Sequence, residues 1–148
     1  MEIADLLTAD RIALDAKLRD KSQVLRLLAE RLGGRALTAA AVEAALAARE
    51  SLGSTGLGRG FALPHARLEG LERPTGAFLR LARPIDFAAI DGEPVDLVFG
   101  LLIPAGDDAG AIASLAGVAR HCREPAVADR LRRARGAAEA LAVLTTRL

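Results

Sequence analysis

The sequence predicts an α/β fold, because helix-like apolar spacing fills both ends of the chain and apolar runs of strand length fill its middle. Helices on either side of a strand-rich centre imply one sheet whose faces they cover. The first element is Ile12–Leu18, which alternates apolar and polar residues as a short strand does. Asp20 or Ser22 is placed to cap the helix that follows, where Val24, Leu25, Leu27, Leu28 and Leu32 recur at near-helical spacing. Gly33–Gly34 ends it. Thr38 caps a second helix, Ala39–Glu50, rich in alanine, the best helix former. A glycine-rich segment, Gly53–Gly60, leads to a short strand at Phe61–His65. Gly76–Ala82 and Val95–Ile103 are strands, the second apolar enough for burial on both faces. Asp86–Pro94 between them carries an Asp-Gly turn signal. Asp107 or Asp108 caps a helix running through Arg120, Glu124–Pro125 starts another, and Gly136 precedes a last one to Leu144.

Composition narrows the function. The 148 residues suit one domain, and 51% hydrophobic against 26% charged residues excludes disorder as the main state. Twenty Lys and Arg against nineteen Asp and Glu leave +1, which gives no global field for nucleic acid or an anionic membrane. With no Trp or Tyr, there is no platform for stacking single-stranded bases. Ala109–Ala119, the longest uncharged apolar stretch, is far short of the ~20 residues of a membrane-spanning helix. The start, MEIADLLTAD, has no basic segment followed by an apolar one, so a secretory signal is not expected. A single cysteine, Cys122, fits a reducing cytoplasm and reads as a buried structural thiol.

Chemistry concentrates in residues 49–68, RESLGSTGLGRGFALPHARL. Four glycines (53, 56, 58 and 60) are costly in chain entropy unless backbone bends or approaches something closely. Bare backbone N–H groups, the hydroxyls of Ser54 and Thr55 and nearby arginines make a sensible anion cradle. It is no Walker loop, since no Gly-Lys-Ser/Thr follows, and it leads into a strand rather than opening a helix. His65 ends that strand, with Phe61 and Leu63 nominally on the same face. A hydrogen-bonded structural histidine is the competing reading. Against it stand the glycine loop and three cations, Arg49, Arg59 and Arg67, which suit the oxygens of a transferring phosphoryl group. A neutral imidazole is a competent nucleophile near pH 7. His121 and Cys122 are adjacent on a helix and point apart, so no metal site is expected.

Arg49-Glu50, Gly53-Ser54-Thr55-Gly56 and the Gly60–His65 run GFALPH resemble the signature of the enzyme IIA components of the bacterial phosphotransferase system, in the fructose, mannitol and nitrogen-regulatory class. Residues 84–105, PIDFAAIDGEPVDLVFGLLIPA, are similar to that family's second block. The resemblance covers nearly the whole chain and implies a single domain over residues 1–148 with a mixed sheet like that of mannitol IIA. It implies that His65 takes a phosphoryl group from a histidine-phosphorylated carrier protein, and that Arg49 holds the phosphate. It also implies that Ser54, Thr55, Gly56 and Arg67 form the surroundings, without metal or organic cofactor. Partners implied are that donor and either an enzyme IIB or regulated proteins, with no nucleic acid and no membrane insertion. A chain without room for IIB or IIC domains favours the nitrogen-regulatory branch. One departure stands out. Where the family commonly has a second active-site histidine, this chain has Ala111-Ile112, and His121 lies about three helical turns further on. That weakens efficient sugar relay more than a regulatory switch, and leaves open an interaction module that no longer turns over phosphate.

Overall fold

The computed structural model describes residues 2–34 and 37–146, so the ends of the expected 1–148 span lie outside the described residues. After two short 3-10 turns, Ile3–Asp5 and Ala9–Arg11, come β1 (Ile12–Ala16), α1 (Lys21–Leu32) and α2 (Ala39–Ser51). Next are β2 (Gly56–Gly58), β3 (Phe61–Ala62), β4 (His65–Leu68), β5 (Thr75–Ile85) and β6 (Val95–Pro104). Three helices close the chain: α3 (Asp108–Arg123), α4 (Pro125–Arg133) and α5 (Ala137–Thr145). None of the helices among the described residues is long and apolar enough to cross a membrane.

The caps settle the two open choices. Asp20, not Ser22, accepts from the Gln23 amide at the start of α1, and Asp107 accepts from the Gly110 amide at the start of α3. Thr38 caps α2 through the Ala41 amide. Each such cap satisfies a helix-end donor that otherwise has no intrahelical partner.

The sheet is mixed, in the order β1-β5-β6-β3-β2, with β4 also paired to β6. β6 is its axis: β5 runs antiparallel on one side, while β3 and β4 lie in tandem, parallel, on the other. Side-chain alternation then builds two cores. Leu97, Phe99, Leu101 and Ile103 face α3, α4 and α5, whereas Val98 and Leu102 face α1 and α2. β6 is buried on both faces, as its continuous apolar run predicted. Each such large side chain contributes about 1.5–3 kcal/mol on burial.

Three strands differ from expectation. β1 stops at Ala16 instead of Leu18, because Asp15 takes a positive φ of 57° and the register with β5 shifts there. Asp15 is gripped by Arg80 of β5 at 3.0 and 3.1 Å, and the same guanidinium donates to Leu131 O and Ala134 O at the end of α4. β5 reaches past Ala82 to Ile85. The expected Phe61–His65 strand is broken at Leu63-Pro64 into β3 and β4, a break that shapes the site.

Candidate functional site

Two chain reversals frame His65. The first closes α2, where the Leu52 and Gly53 amides turn back to Arg49 O and Glu50 O. Arg49 Nη1 donates to Gly53 O at 2.8 Å, so this cation is fixed at the mouth of the glycine loop. The second is the β2–β3 hairpin, whose two turn residues, Arg59 and Gly60, both have positive φ, 57° and 80°. That is the geometry of the hairpin turn that matches strand twist. At Gly60 a Cβ would lie 2.5 Å from Arg132 Nη2 and 2.8 Å from Asp96 Oδ1, so only glycine fits beside that ion pair. Arg59 is strained, and its backbone is held by Asp91 on the amide and Arg132 on the carbonyl.

The loop between these reversals is braced from inside. Glu50, with its side chain 4% exposed, accepts on its carboxylate from the Thr55 amide, the Thr55 hydroxyl and Lys21 Nζ, the last at 2.8 Å. Lys21 also sits 4.7 Å over the Phe87 ring. Ser54 Oγ donates to Phe87 O and accepts from the Gly56 amide. A Cβ on Gly56 would come within 2.8 Å of Ala89 Cβ, so the β5–β6 connection packs directly on this turn. The expected nest of bare amides is therefore corrected. The N–H groups of Gly53, Thr55, Gly56 and Arg59 all have partners within the protein, because the turn closes on itself. The Ser54 hydroxyl, the Thr55 amide and hydroxyl and the Gly56 amide are directed inward, and what they supply is the shape of the loop.

His65 opens β4. Pro64 has no N–H to offer a ladder, and the Leu63 amide is diverted to Thr55 O at 3.0 Å. Pairing with β6 resumes when Leu101 N donates to Pro64 O at 2.9 Å, and His65 registers with Leu101. Phe61 and Leu63 face the α3–α5 core, while Ala62 and Ala66 face the α1–α2 core. The half-buried imidazole places Nδ1 2.8 Å from Leu63 O. A carbonyl only accepts, so Nδ1 carries the proton and Nε2 carries the lone pair. Burial, the largest cause, lowers the His65 pKa below 6.5; the Leu63 bond opposes it, Arg49 lowers it, Glu50 raises it and Arg67 lowers it. The ring is neutral at pH 7.

The structure thus brings Arg49, Glu50 and Arg67 to bear on one imidazole from two different elements. Arg67, two residues along the strand, contacts Asp108 in the first turn of α3. Arg59 is at the hairpin tip and is not among the charges acting on the ring. Ala111 is fully buried in the α3 face of the core. His121 lies near the other end of α3, its Nε2 donating to Val143 O of α5 at 3.0 Å. Burial pushes the Cys122 thiol up to about 12. Among the described residues no group of three His, Cys, Asp or Glu is gathered as a metal would require. Glu50 and Lys21 were missed as site residues from sequence. The adjacency of Glu50 to Arg49 in the motif was the one available signal, and Lys21 lies 29 positions away.

Comparison with known proteins shows the family. Residues 5–146 match the family described as phosphoenolpyruvate-dependent sugar phosphotransferase system, EIIA 2. The chain is 43% identical over 147 residues to the nitrogen regulatory protein of Bradyrhizobium diazoefficiens, covering 97% of this chain and 95% of that one. It is 37% identical to that of Escherichia coli over 139 residues, 93% and 83% of the two chains. The crystal structure of nitrogen regulatory protein IIA-Ntr from Neisseria meningitidis superposes with a TM-score of 0.92 at 36% identity, covering 97% and 99%. IIA mannitol from Escherichia coli shares the fold, with a TM-score of 0.73 at 23% identity over 93% and 98%. The match over residues 5–146 and these relatives place the chain in the EIIA type-2 family of the phosphotransferase system.

Proposed function

We propose that this protein is a cytoplasmic phosphocarrier that takes a phosphoryl group on Nε2 of His65 and signals through binding that depends on that phosphate. The observation that carries it is the commitment of Nδ1 to Leu63 O, which leaves Nε2 as the nucleophile. The donor is a histidine-phosphorylated carrier protein. The Nε2 lone pair forms the new N–P bond as the donor's N–P bond breaks, and the donor imidazole leaves with the electron pair of that bond. The group moves as PO3, so the donor ring returns to neutral while the His65 ring becomes cationic. Its Nδ1–H stays on Leu63 O throughout, which stabilises the charge as it develops. Arg49 neutralises the equatorial oxygens, and Arg67 joins it on leaving Asp108. Ser54, Thr55 and Gly56 keep the loop in shape beneath them. No metal or organic cofactor enters the reaction.

A regulatory role is supported by the nitrogen regulatory proteins among the relatives and by Ala111, which removes the imidazole expected beside a fast relay. Phosphorylation adds roughly two negative charges at His65, repelling acidic partners and recruiting those that offer arginine. A sugar-transport role, passing the group to an enzyme IIB, is the second reading, favoured by 37% identity over 87 residues to the fructose-specific EIIA component of Haloferax volcanii. Incubation with the phosphotransfer proteins and phosphoenolpyruvate, followed by intact mass measurement, tests the acceptor. One acid-labile phosphoryl group on wild type and none on His65→Ala is the expected result. A wild-type chain that gains no mass defeats the reading. A partner that binds wild type and His65→Glu alike would make this chain an interaction module instead.

A further inference from the structure

A continuous chain of contacts runs from a buried ion pair to the imidazole. Lys21, the first residue of α1, donates to Glu50 at the end of α2. Glu50 accepts two bonds from Thr55, through the amide and the hydroxyl. Thr55 O receives the Leu63 amide, and Leu63 O receives His65 Nδ1. The carboxylate therefore fixes the residue that fixes the residue that aims the ring. Among the described residues, the Thr55 amide is anchored by Glu50 alone, and Leu63 N has Thr55 O as its partner.

From this chain we infer that Glu50 is a positioning residue for phosphoryl acceptance, holding the Nδ1–H tautomer of His65 through Thr55 and Leu63 so that Nε2 faces the donor. The inference rests on the phosphocarrier reading above for its kinetic consequence, but its structural part concerns the ring alone. Glu50 touches no reacting atom. Its burial matters, since a buried charge is costly without its hydrogen-bond partners, which ties the Lys21 and Thr55 contacts to the carboxylate. Its charge matters as well. Of the charged groups acting on the ring, Arg49 and Arg67 disfavour the cation and Glu50 alone favours it. Phosphoryl transfer makes the ring cationic, so a fixed negative charge behind the loop works in the direction of transfer.

The test compares wild type, Glu50→Gln and Thr55→Val in the full chain. Imidazole 15N shifts report the tautomer and pKa of His65, single-turnover transfer from the phosphorylated carrier reports the rate, and thermal melting reports the fold. Glu50→Gln is expected to lower the His65 pKa further, mix the two tautomers and slow transfer at saturating donor at least about tenfold. The half-saturating donor concentration stays unchanged. Thr55→Val, which removes one donor to Glu50 and keeps the ion pair, shifts the tautomer in the same direction by less. Arg80→Ala is the control for lost stability, because Arg80 anchors Asp15 and the end of α4 and its loss lowers the melting temperature with the ring unmoved. A folded Glu50→Gln with wild-type tautomer and rate overturns the inference. Should Glu50→Gln fail to fold, an unaltered tautomer in Thr55→Val overturns it equally. If wild type accepts no phosphate, the phosphocarrier reading falls, and the tautomer measurements still decide the role of Glu50.

Discussion

His65 and Leu63 stand on either side of a proline, and the imidazole Nδ1 of the first is 2.8 Å from the carbonyl oxygen of the second. The residue that would have made a ladder bond at this point cannot, and the strand uses the gap to hold a ring. Burial of that ring has a consequence for pH.

The lowered His65 pKa predicts that transfer stays near its maximum down to a pH below 6.5 and then falls as Nε2 is protonated. Stability follows the same group. The unfolded chain binds the proton at about 6.5 and the folded chain binds it less readily. The contribution is therefore complete above the unfolded value and declines as pH drops from there through the folded pKa. An NMR titration of the ring, with melting curves of wild type and His65→Gln over the same range, checks both. A His65 pKa above 6.5 contradicts the burial on which the prediction stands.

Arg67 contacts Asp108, and in the proposed reaction it moves to the phosphate after transfer. The pair is exposed, at 50% and 72% for the two side chains, so the contact costs at most about 1 kcal/mol to leave. Asp108→Asn is expected to speed acceptance up to about fivefold and to lengthen the life of the phosphohistidine, whereas Arg67→Ala shortens it. Decay of the phosphorylated mass over time measures this. Equal lifetimes in all three proteins would remove Arg67 from the phosphate.

Gly60→Ala combines a φ of 80° with a Cβ 2.5 Å from Arg132 Nη2. The Arg132–Asp96 pair at 2.9 Å must open or the hairpin must shift. A loss of about 1–3 kcal/mol is expected in denaturant unfolding. A variant as stable as wild type would show that this turn has another conformation open to it.

Cys122 is fully buried with its thiol pushed up to about 12, so the native protein resists iodoacetamide at pH 8. Labelling is expected only in denaturant, with its midpoint following the loss of helix signal. Rapid labelling of the folded chain would mean that α3 lifts from the sheet.

Much of this molecule was legible in its residues, for reasons that differ from part to part. β6 announced itself because burial on both faces demands an unbroken apolar run, and α1 and α2 because Asp20 and Thr38 cap them within three residues. His65, Arg49 and Arg67 were visible as chemistry near one loop. What could not be read were contacts between distant positions. Arg67 meets Asp108 across 41 residues, and Lys21 meets Glu50 across 29. The direction of the loop amides was also hidden, since glycines permit an outward nest and an inward brace alike. The buried carboxylate of Glu50 decided between them.

The grip on the imidazole comes from a residue two places back in the chain, so the aim of the ring travels with the backbone that bears it. On the phosphocarrier reading, a protein that must meet one visitor to be charged and another to be read gains a fixed point on the face that both approach. The missing imidazole at position 111 leaves that fixed point intact.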